Sequence, residues 1–169
     1  IVDEAGNVLP NGTTGLIGVR KPNPCMMLQY SDNADATAKK YAGEFLLTGD
    51  LGKRDDDGYF WYMSREDDVI TSAGYRIGPA EIEDTLIKHP AVALAAVVGI
   101  PDPIRTEAVK AWVVLRPGFA ASDALAREIQ DFVKVKLAAH EYPRHVQFAE
   151  TLPMTATGKV LRRELRKLG

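Results

Sequence analysis

Two apolar runs set the frame for this chain. Val92 to Ile100 and Ala108 to Leu115 are dense in Val, Ile, Leu and Ala and are separated by Pro101-Asp102-Pro103. Short apolar runs bounded by turn residues read as buried strands, which need helices to cover them. The flanking sequence supplies them. A strand around Tyr75-Arg76-Ile77 leads into a helix with Pro79 in its first turn, where a missing N–H costs nothing, and with Ile82, Leu86 and Ile87 on one face. His89-Pro90 ends it. Ser122 is placed to cap a second helix whose Leu125, Ile129, Phe132, Val133 and Leu137 recur at helical spacing. Arg144 to Phe148 makes one more strand. The order β-α-β-β-α-β predicts an α+β sandwich with its helices on one sheet face. Beyond it come a polar loop, Pro153 to Lys159, and a basic terminal helix over Val160 to Leu168 with Leu161, Leu165 and Leu168 inward.

Charge divides the chain. Residues 1–70 hold seven basic and twelve acidic groups, and residues 71–169 hold fourteen and eleven. The first region is short strands broken by Asn11-Gly12, Gly15, Pro22 and Pro24, and by an Asp55-Asp56-Asp57-Gly58 turn between Gly49-Asp50-Leu51 and Tyr59 to Tyr62. It reads as part of a β domain, too small to bury much core alone and with an edge strand at risk. The N-terminus, strand-like and without Met, predicts that the chain is a piece of a longer protein. It has no basic-then-apolar leader and no bilayer-length apolar run, which predicts a cytoplasmic protein without a membrane span.

Composition removes several function classes. The formal charge of -2 gives no general attraction to nucleic acid or anionic lipid. One cysteine, Cys25, and three scattered histidines leave no disulfide and no zinc-ligand spacing. The Asp55–Gly58 run lacks the alternating oxygen ligands of a calcium loop and reads as a hairpin turn. Thr157-Gly158-Lys159 suggests a phosphate loop, but Pro153 and Val160 stand where that loop needs Gly and Ser or Thr. What remains at Lys159 is either a solvated lysine or a point charge for a phosphate or carboxylate brought from elsewhere. Asp50, at the end of an apolar strand, is either a turn residue or an acceptor for two hydroxyls of a ribose. The polar run from Ser64 to Ile70 is a linker or a hinge. Gly74 and Gly78, around Tyr75 and Arg76, serve a tight turn or the close approach of a ligand. Arg105, Lys134 and Arg144 are surface charge or a cluster for a ligand with several phosphates.

Together, four motifs in order resemble the adenylate-forming enzymes. They are TGD at Thr48 to Asp50, REDDVI at Arg65 to Ile70 running on through AGYRIGPAEIE to Glu83, HPAV at His89 to Val92, and PMTATGK ending at Lys159. GYFWYMSREDDVITSAGYRIGP with EYPRHVQFAETLPMTATGK looks most like the medium-chain acyl-CoA synthetases. Ser64 replaces the usual Gly before the Arg, and Ala73 the frequent Ser before Gly-Tyr-Arg. Neither change removes a charged group.

The resemblance implies that residues 1–64 end a large N-terminal domain, 65–67 form a hinge, and 68–169 form a mobile C-terminal domain. It implies a ligase that converts a carboxylic acid, ATP and CoA into acyl-CoA, AMP and pyrophosphate through an acyl-adenylate. Asp50 and Arg65 would hold the nucleotide, Lys159 would reach the acyl-adenylate as the catalytic residue, and Asp67 would be the pivot. Ala73, Gly74 and Tyr75 would line the CoA passage and Arg76 the active-site face. Arg105, Lys134, Tyr142, Pro143 and Arg144 would surround the CoA nucleotide. Mg2+ would accompany ATP, held mainly by the N-terminal domain, which is also the implied partner and carries the acyl pocket. The chain alone is expected to be inactive. Two other readings stand beside this one: an adenylation domain that loads a carrier protein, and a non-catalytic ligand-binding regulatory module.

Overall fold

The computed structural model describes residues 1–168; Gly169, the last residue of the region 68–169, lies outside them. The chain divides into two compact units, Ile1–Asp67 and Asp68–Gly169.

The first unit is organised by one long strand. β3 (Phe45–Arg54) pairs antiparallel with β1 (Gly15–Arg20), with the short β2 (Tyr41–Ala42) against its start and β4 (Phe60–Arg65) against its end. α1 (Ala34–Ala38) has no periodic signal in the sequence; Asn33 starts it by accepting the Ala36 N–H at 3.0 Å. The core is small, with Val2, Leu16, Ala42, Phe45 and Leu51 at its centre. The Asp55–Gly58 hairpin turn forms as expected. Asp55 accepts the Tyr59 N–H at 2.8 Å and the Trp61 indole N–H at 2.7 Å, and Gly58 takes a φ of +90°. Along β4 only Ser64 is buried; Phe60, Trp61, Tyr62 and Met63 are all exposed.

The second unit is a five-stranded mixed sheet. β7 (Val92–Asp102) and β8 (Thr106–Leu115) form a long antiparallel hairpin. β9 (His145–Phe148) adds in parallel to the other edge of β8 along Lys110 to Val113. A tight hairpin of β5 (Ile70–Ser72) and β6 (Tyr75–Ile77) joins β8 through the pair Ser72 and Thr106. The β-α-β-β-α-β order is therefore present, with β5 as an additional strand. Strand β7 runs through Pro101 to Asp102, beyond the expected turn. Among the described residues no strand lies along its outer edge, where proline's missing N–H breaks no ladder bond.

Cover comes from both sides. α2 (Pro79–Leu86) and α3 (Asp123–Lys136) bury Ile82, Leu86, Ile129 and Val133 against Ala95, Val97, Val109, Ala111 and Val113. On the opposite face α4 (Arg162–Lys167) sets Leu165 against Ala96, Val98 and Trp112. Because alternate residues of β7 are buried on both faces, its sequence is a continuous apolar run. The two helices of the β-α-β-β-α-β unit thus share one face, as expected, and the basic α4 beyond them covers the other with a single buried leucine. Leu161 and Leu168, expected inward, are 38% and 66% exposed, because α4 is shorter than the apolar spacing suggests. Ile87 is also exposed, since it caps α2 instead of continuing it. The expected cap of α3 is in place, Ser122 Oγ accepting the Leu125 N–H at 3.1 Å.

Candidate functional site

In the first unit the site begins with a bulge. Between the pairs Leu16–Leu51 and Gly18–Leu47, the three residues Thr48, Gly49 and Asp50 of β3 stand opposite Ile17 alone. Gly49 takes up the extra length at a φ of +82°, and Thr48 Oγ1 closes the distortion by donating to Ile17 O at 3.0 Å. Asp50 therefore sits within a strand, not at its end as the apolar run suggested; the bulge re-aims its side chain. Across the ladder its partner is Arg65, whose Nη1 donates to Asp50 Oδ1 at 2.9 Å and whose Nε lies 3.5 Å from Asp67 Oδ1. Partial burial works against the guanidinium charge, but the carboxylates of Asp50 and Asp67 outweigh it and hold the Arg65 pKa above its usual value. Asp50 Oδ2 has no hydrogen-bond partner among the described residues, so it is available to accept from a ligand hydroxyl.

In the second unit Lys159 closes a compact turn. Thr155 N–H donates to Lys159 O at 2.8 Å, Lys159 N–H to Thr155 Oγ1 at 3.0 Å, and Gly158 N–H to Thr155 O at 3.0 Å. Gly158 has a φ of +81°, and Met154 and Val160 bridge at the base. The polar loop of the sequence is thus a hydrogen-bonded turn, because the Thr155 hydroxyl accepts from its backbone and pairs with the Thr157 hydroxyl at 2.9 Å. The Lys159 side chain is exposed, and its ammonium has no carboxylate partner among the described residues.

The residues expected around CoA gather at one edge of the second sheet. Ala73 and Gly74 form the two-residue turn of the β5–β6 hairpin with φ of 50° and 84°, the pattern of a tight primed turn. Ala73 N–H donates to Arg105 O at 2.9 Å, which docks this turn on the β7–β8 connection. Arg105 also faces Asp102, 3.7 Å away. Tyr142 lies between two cations, Arg144 Cζ 4.4 Å and Lys134 Nζ 5.4 Å from its ring centre, and Arg144 donates to its hydroxyl. Gln130 fixes the backbone there by donating to Pro143 O at 3.1 Å and Arg144 O at 2.8 Å. Neither Lys134 nor Arg144 meets a carboxylate among the described residues, so both charges are available to an anion. Arg105 belongs to the hairpin side of this surface and is not part of the Tyr142 cluster. Arg76, one residue from the buried Ile77 on β6, points to the opposite sheet face and is exposed.

Two features escape sequence reasoning. His140 stacks on Tyr75 at 3.9 Å with the rings 11° apart, yet a single histidine after two alanines carries no pattern. Arg162 bridges Glu83 and Asp68, and Arg166 also reaches Asp68. These partners are far apart in the chain, and no local spacing joins them.

Known proteins similar to this chain match it along nearly its whole length. Residues 81–159 match the family model described as AMP-binding enzyme C-terminal domain. The chain is 53% identical over 171 residues to acyl-coenzyme A synthetase ACSM5, mitochondrial, of Mus musculus, covering 98% of this chain and 30% of that relative. The crystal structure of an ATP-bound RpMatB–BxBclM chimera superposes with a TM-score of 0.90 at 36% identity, covering 99% of this chain and 33% of that one. The anthranilate CoA ligase AuaEII in complex with anthranoyl-AMP gives 0.86 at 40% identity, covering 99% and 32%. The chain spans 30% of the length of the curated relative it matches. Among the described residues no helix is long and apolar enough to cross a membrane, and no cluster of three His, Cys, Asp or Glu side chains is placed to hold a metal ion. With about half of its residues identical to a named acyl-CoA synthetase along nearly its whole length, and with residues 81–159 matching the AMP-binding enzyme C-terminal domain, this chain is similar to the C-terminal part of the AMP-binding acyl-CoA synthetases.

Proposed function

We propose that this chain is the C-terminal portion of an AMP-forming acyl-CoA synthetase, that it supplies the adenylation lysine and the CoA-facing surface, and that it is inactive by itself. The observation that carries the reading is the Lys159 ammonium, without a carboxylate partner among the described residues, on a turn held by its own hydrogen bonds within the four ordered motifs. A cation presented that way stabilises charge building up between an α-phosphate and a carboxylate, with little reorganisation at the moment of reaction.

On this reading Asp50 accepts from the ribose hydroxyls of ATP through its unused oxygen, and Arg65 both holds Asp50 and contacts the nucleotide. Asp67 is the pivot between residues 1–64 and 68–169, and a turn about it exchanges Lys159 for the opposite edge of the second sheet. Ala73, Gly74 and Tyr75 then line the pantetheine passage, and Arg76 lies on the active-site face. Arg105, Lys134, Tyr142, Pro143 and Arg144 meet the CoA nucleotide, where Lys134 and Arg144, without carboxylates among the described residues, suit phosphates. Mg2+ travels with ATP and is held mainly outside this chain. The remaining partner is an N-terminal domain that carries the acyl pocket. The location we propose is the cytoplasm; the curated relative is named as mitochondrial, and fractionation of the native cells tests the point.

The test uses the complete protein that carries this chain. Pyrophosphate exchange over a panel of short, medium, long and aromatic acids, with CoA-dependent AMP release in parallel, identifies acid and acceptor together. Lys159→Ala is expected to lower exchange by about 10²–10³-fold and to leave thioester formation from supplied acyl-adenylate within a few-fold. Equal loss in both steps refutes the role of Lys159. Exchange without CoA consumption moves the acceptor to a carrier protein.

A further inference from the structure

We infer that Arg162 is a positioning residue that ties the Lys159 turn to the chain just after the pivot, so that Lys159 is delivered as part of a rigid body. The inference rests on the reading above and adds to it a residue to which no motif assigns a role.

The geometry is a four-membered ion network within the second unit. Arg162 Nη2 lies 2.6 Å from Glu83 Oε2 and its Nε 3.2 Å from Glu83 Oε1, a two-pronged grip, while Nη1 lies 2.9 Å from Asp68 Oδ2. Arg166 Nη2 adds a bond to Asp68 Oδ1 at 3.2 Å. Glu83 Oε1 also accepts the Val97 N–H at 2.8 Å, which roots the network in β7. The side chains are largely withdrawn from water: Asp68 is 14% exposed, Glu83 16% and Arg162 22%. Burial opposes the Arg162 charge, and the carboxylates of Glu83 and Asp68 overcome it.

Its place in the chain gives the network its meaning. Asp68 is the first residue of the second unit and follows Asp67 directly. Arg162 comes three residues after Lys159, and the turn between is closed by Leu161 N–H donating to Pro153 O at 2.8 Å. α4 itself buries only Leu165, so apolar packing alone fixes its position weakly. A planar guanidinium gripping two carboxylates from different elements supplies the missing geometric definition. The edge that faces CoA is held separately, by the Ala73–Arg105 bond and the Gln130 bonds to Pro143 and Arg144. Loosening Arg162 should therefore displace the lysine and spare the thioester step.

The decisive variants in the complete protein are Arg162→Lys, which keeps the charge but loses the fork, and Glu83→Gln, which keeps the shape but loses the charge. Arg162→Met is added as the stronger lesion; if it fails to fold, the first two carry the test. A displacement of about 1 Å costs roughly 10²-fold. The expected result is a 10- to 100-fold loss of pyrophosphate exchange, on the order of that cost, with thioester formation from supplied acyl-adenylate within about twofold and no further loss when Arg162→Lys is combined with Lys159→Ala. Equal loss in both steps, or no loss in either, overturns the inference. Lys159→Ala alone separates the two levels. If it keeps full exchange, the lysine reading itself fails. If it loses exchange while Arg162→Lys and Glu83→Gln do not, that reading stands and the positioning role is overturned.

Discussion

Ala73 has a φ of 50° in a turn where its neighbour Gly74, at 84°, is the residue suited to that region. A side chain with a Cβ is disfavoured there by about 1–2 kcal/mol. The strain is retained because Ser72–Tyr75 pairing and the Ala73–Arg105 bond dictate a two-residue connection. Ala73→Gly relieves it against a smaller loss of chain entropy, so denaturant unfolding should show a gain of about 0.5–1 kcal/mol. The sequence placed a substitution at this position and a tight turn around it. It did not place the strain on Ala73, which arises from strand pairing on both sides. The same holds for Asp50: its identity was legible, but its presentation from a bulge depends on the register between β1 and β3.

Among the elements, the second helix shows how a motif becomes structure. Pro79 opens α2 and Ile87 caps it, two residues before the expected stop at His89, whose N–H donates to Leu86 O at 3.0 Å. The histidine of HPAV is 3% exposed; its Nδ1 accepts the Ala91 N–H at 3.2 Å, and its ring meets Phe132 edge-on at 5.0 Å. It fixes the chain that leaves α2 and bridges to α3. His89→Ala removes an acceptor from a buried N–H and leaves a cavity, a loss expected at about 2–4 kcal/mol in denaturant unfolding. Strands β7, β8 and β9 and helices α2 and α3 were all readable, because long apolar runs and 3.6-residue periodicity are strong local signals. β5 was not readable for the opposite reason, being three residues long, and α4 was readable as a helix but not in its extent, because it buries one leucine.

At the scale of the whole molecule, the outward aromatic row of β4 bears on how the isolated chain behaves. Phe60, Trp61 and Tyr62 are each more than half exposed. An edge strand of that kind promotes association. Replacing Phe60, whose ring meets only Arg54 at 5.9 Å among the described residues' cation–aromatic contacts, tests it: Phe60→Lys should raise the solubility of the isolated chain and shift its elution toward the monomer in size-exclusion chromatography. By itself the sequence determined the α+β order, the hairpin at Asp55–Gly58, the helix starts at Pro79 and after Ser122, and the identity of the charged residues in the four motifs. Each of these is written in local spacing, in turn chemistry or in a run of named residues. Tertiary structure alone decided which charges are free and which are taken. Lys159, Lys134 and Arg144 are left without carboxylates among the described residues, while Arg162 is held by Asp68 and Glu83 from sequence separations of 94 and 79. No local pattern distinguishes these cations, because pairing depends on which strands and helices the fold brings within hydrogen-bonding distance.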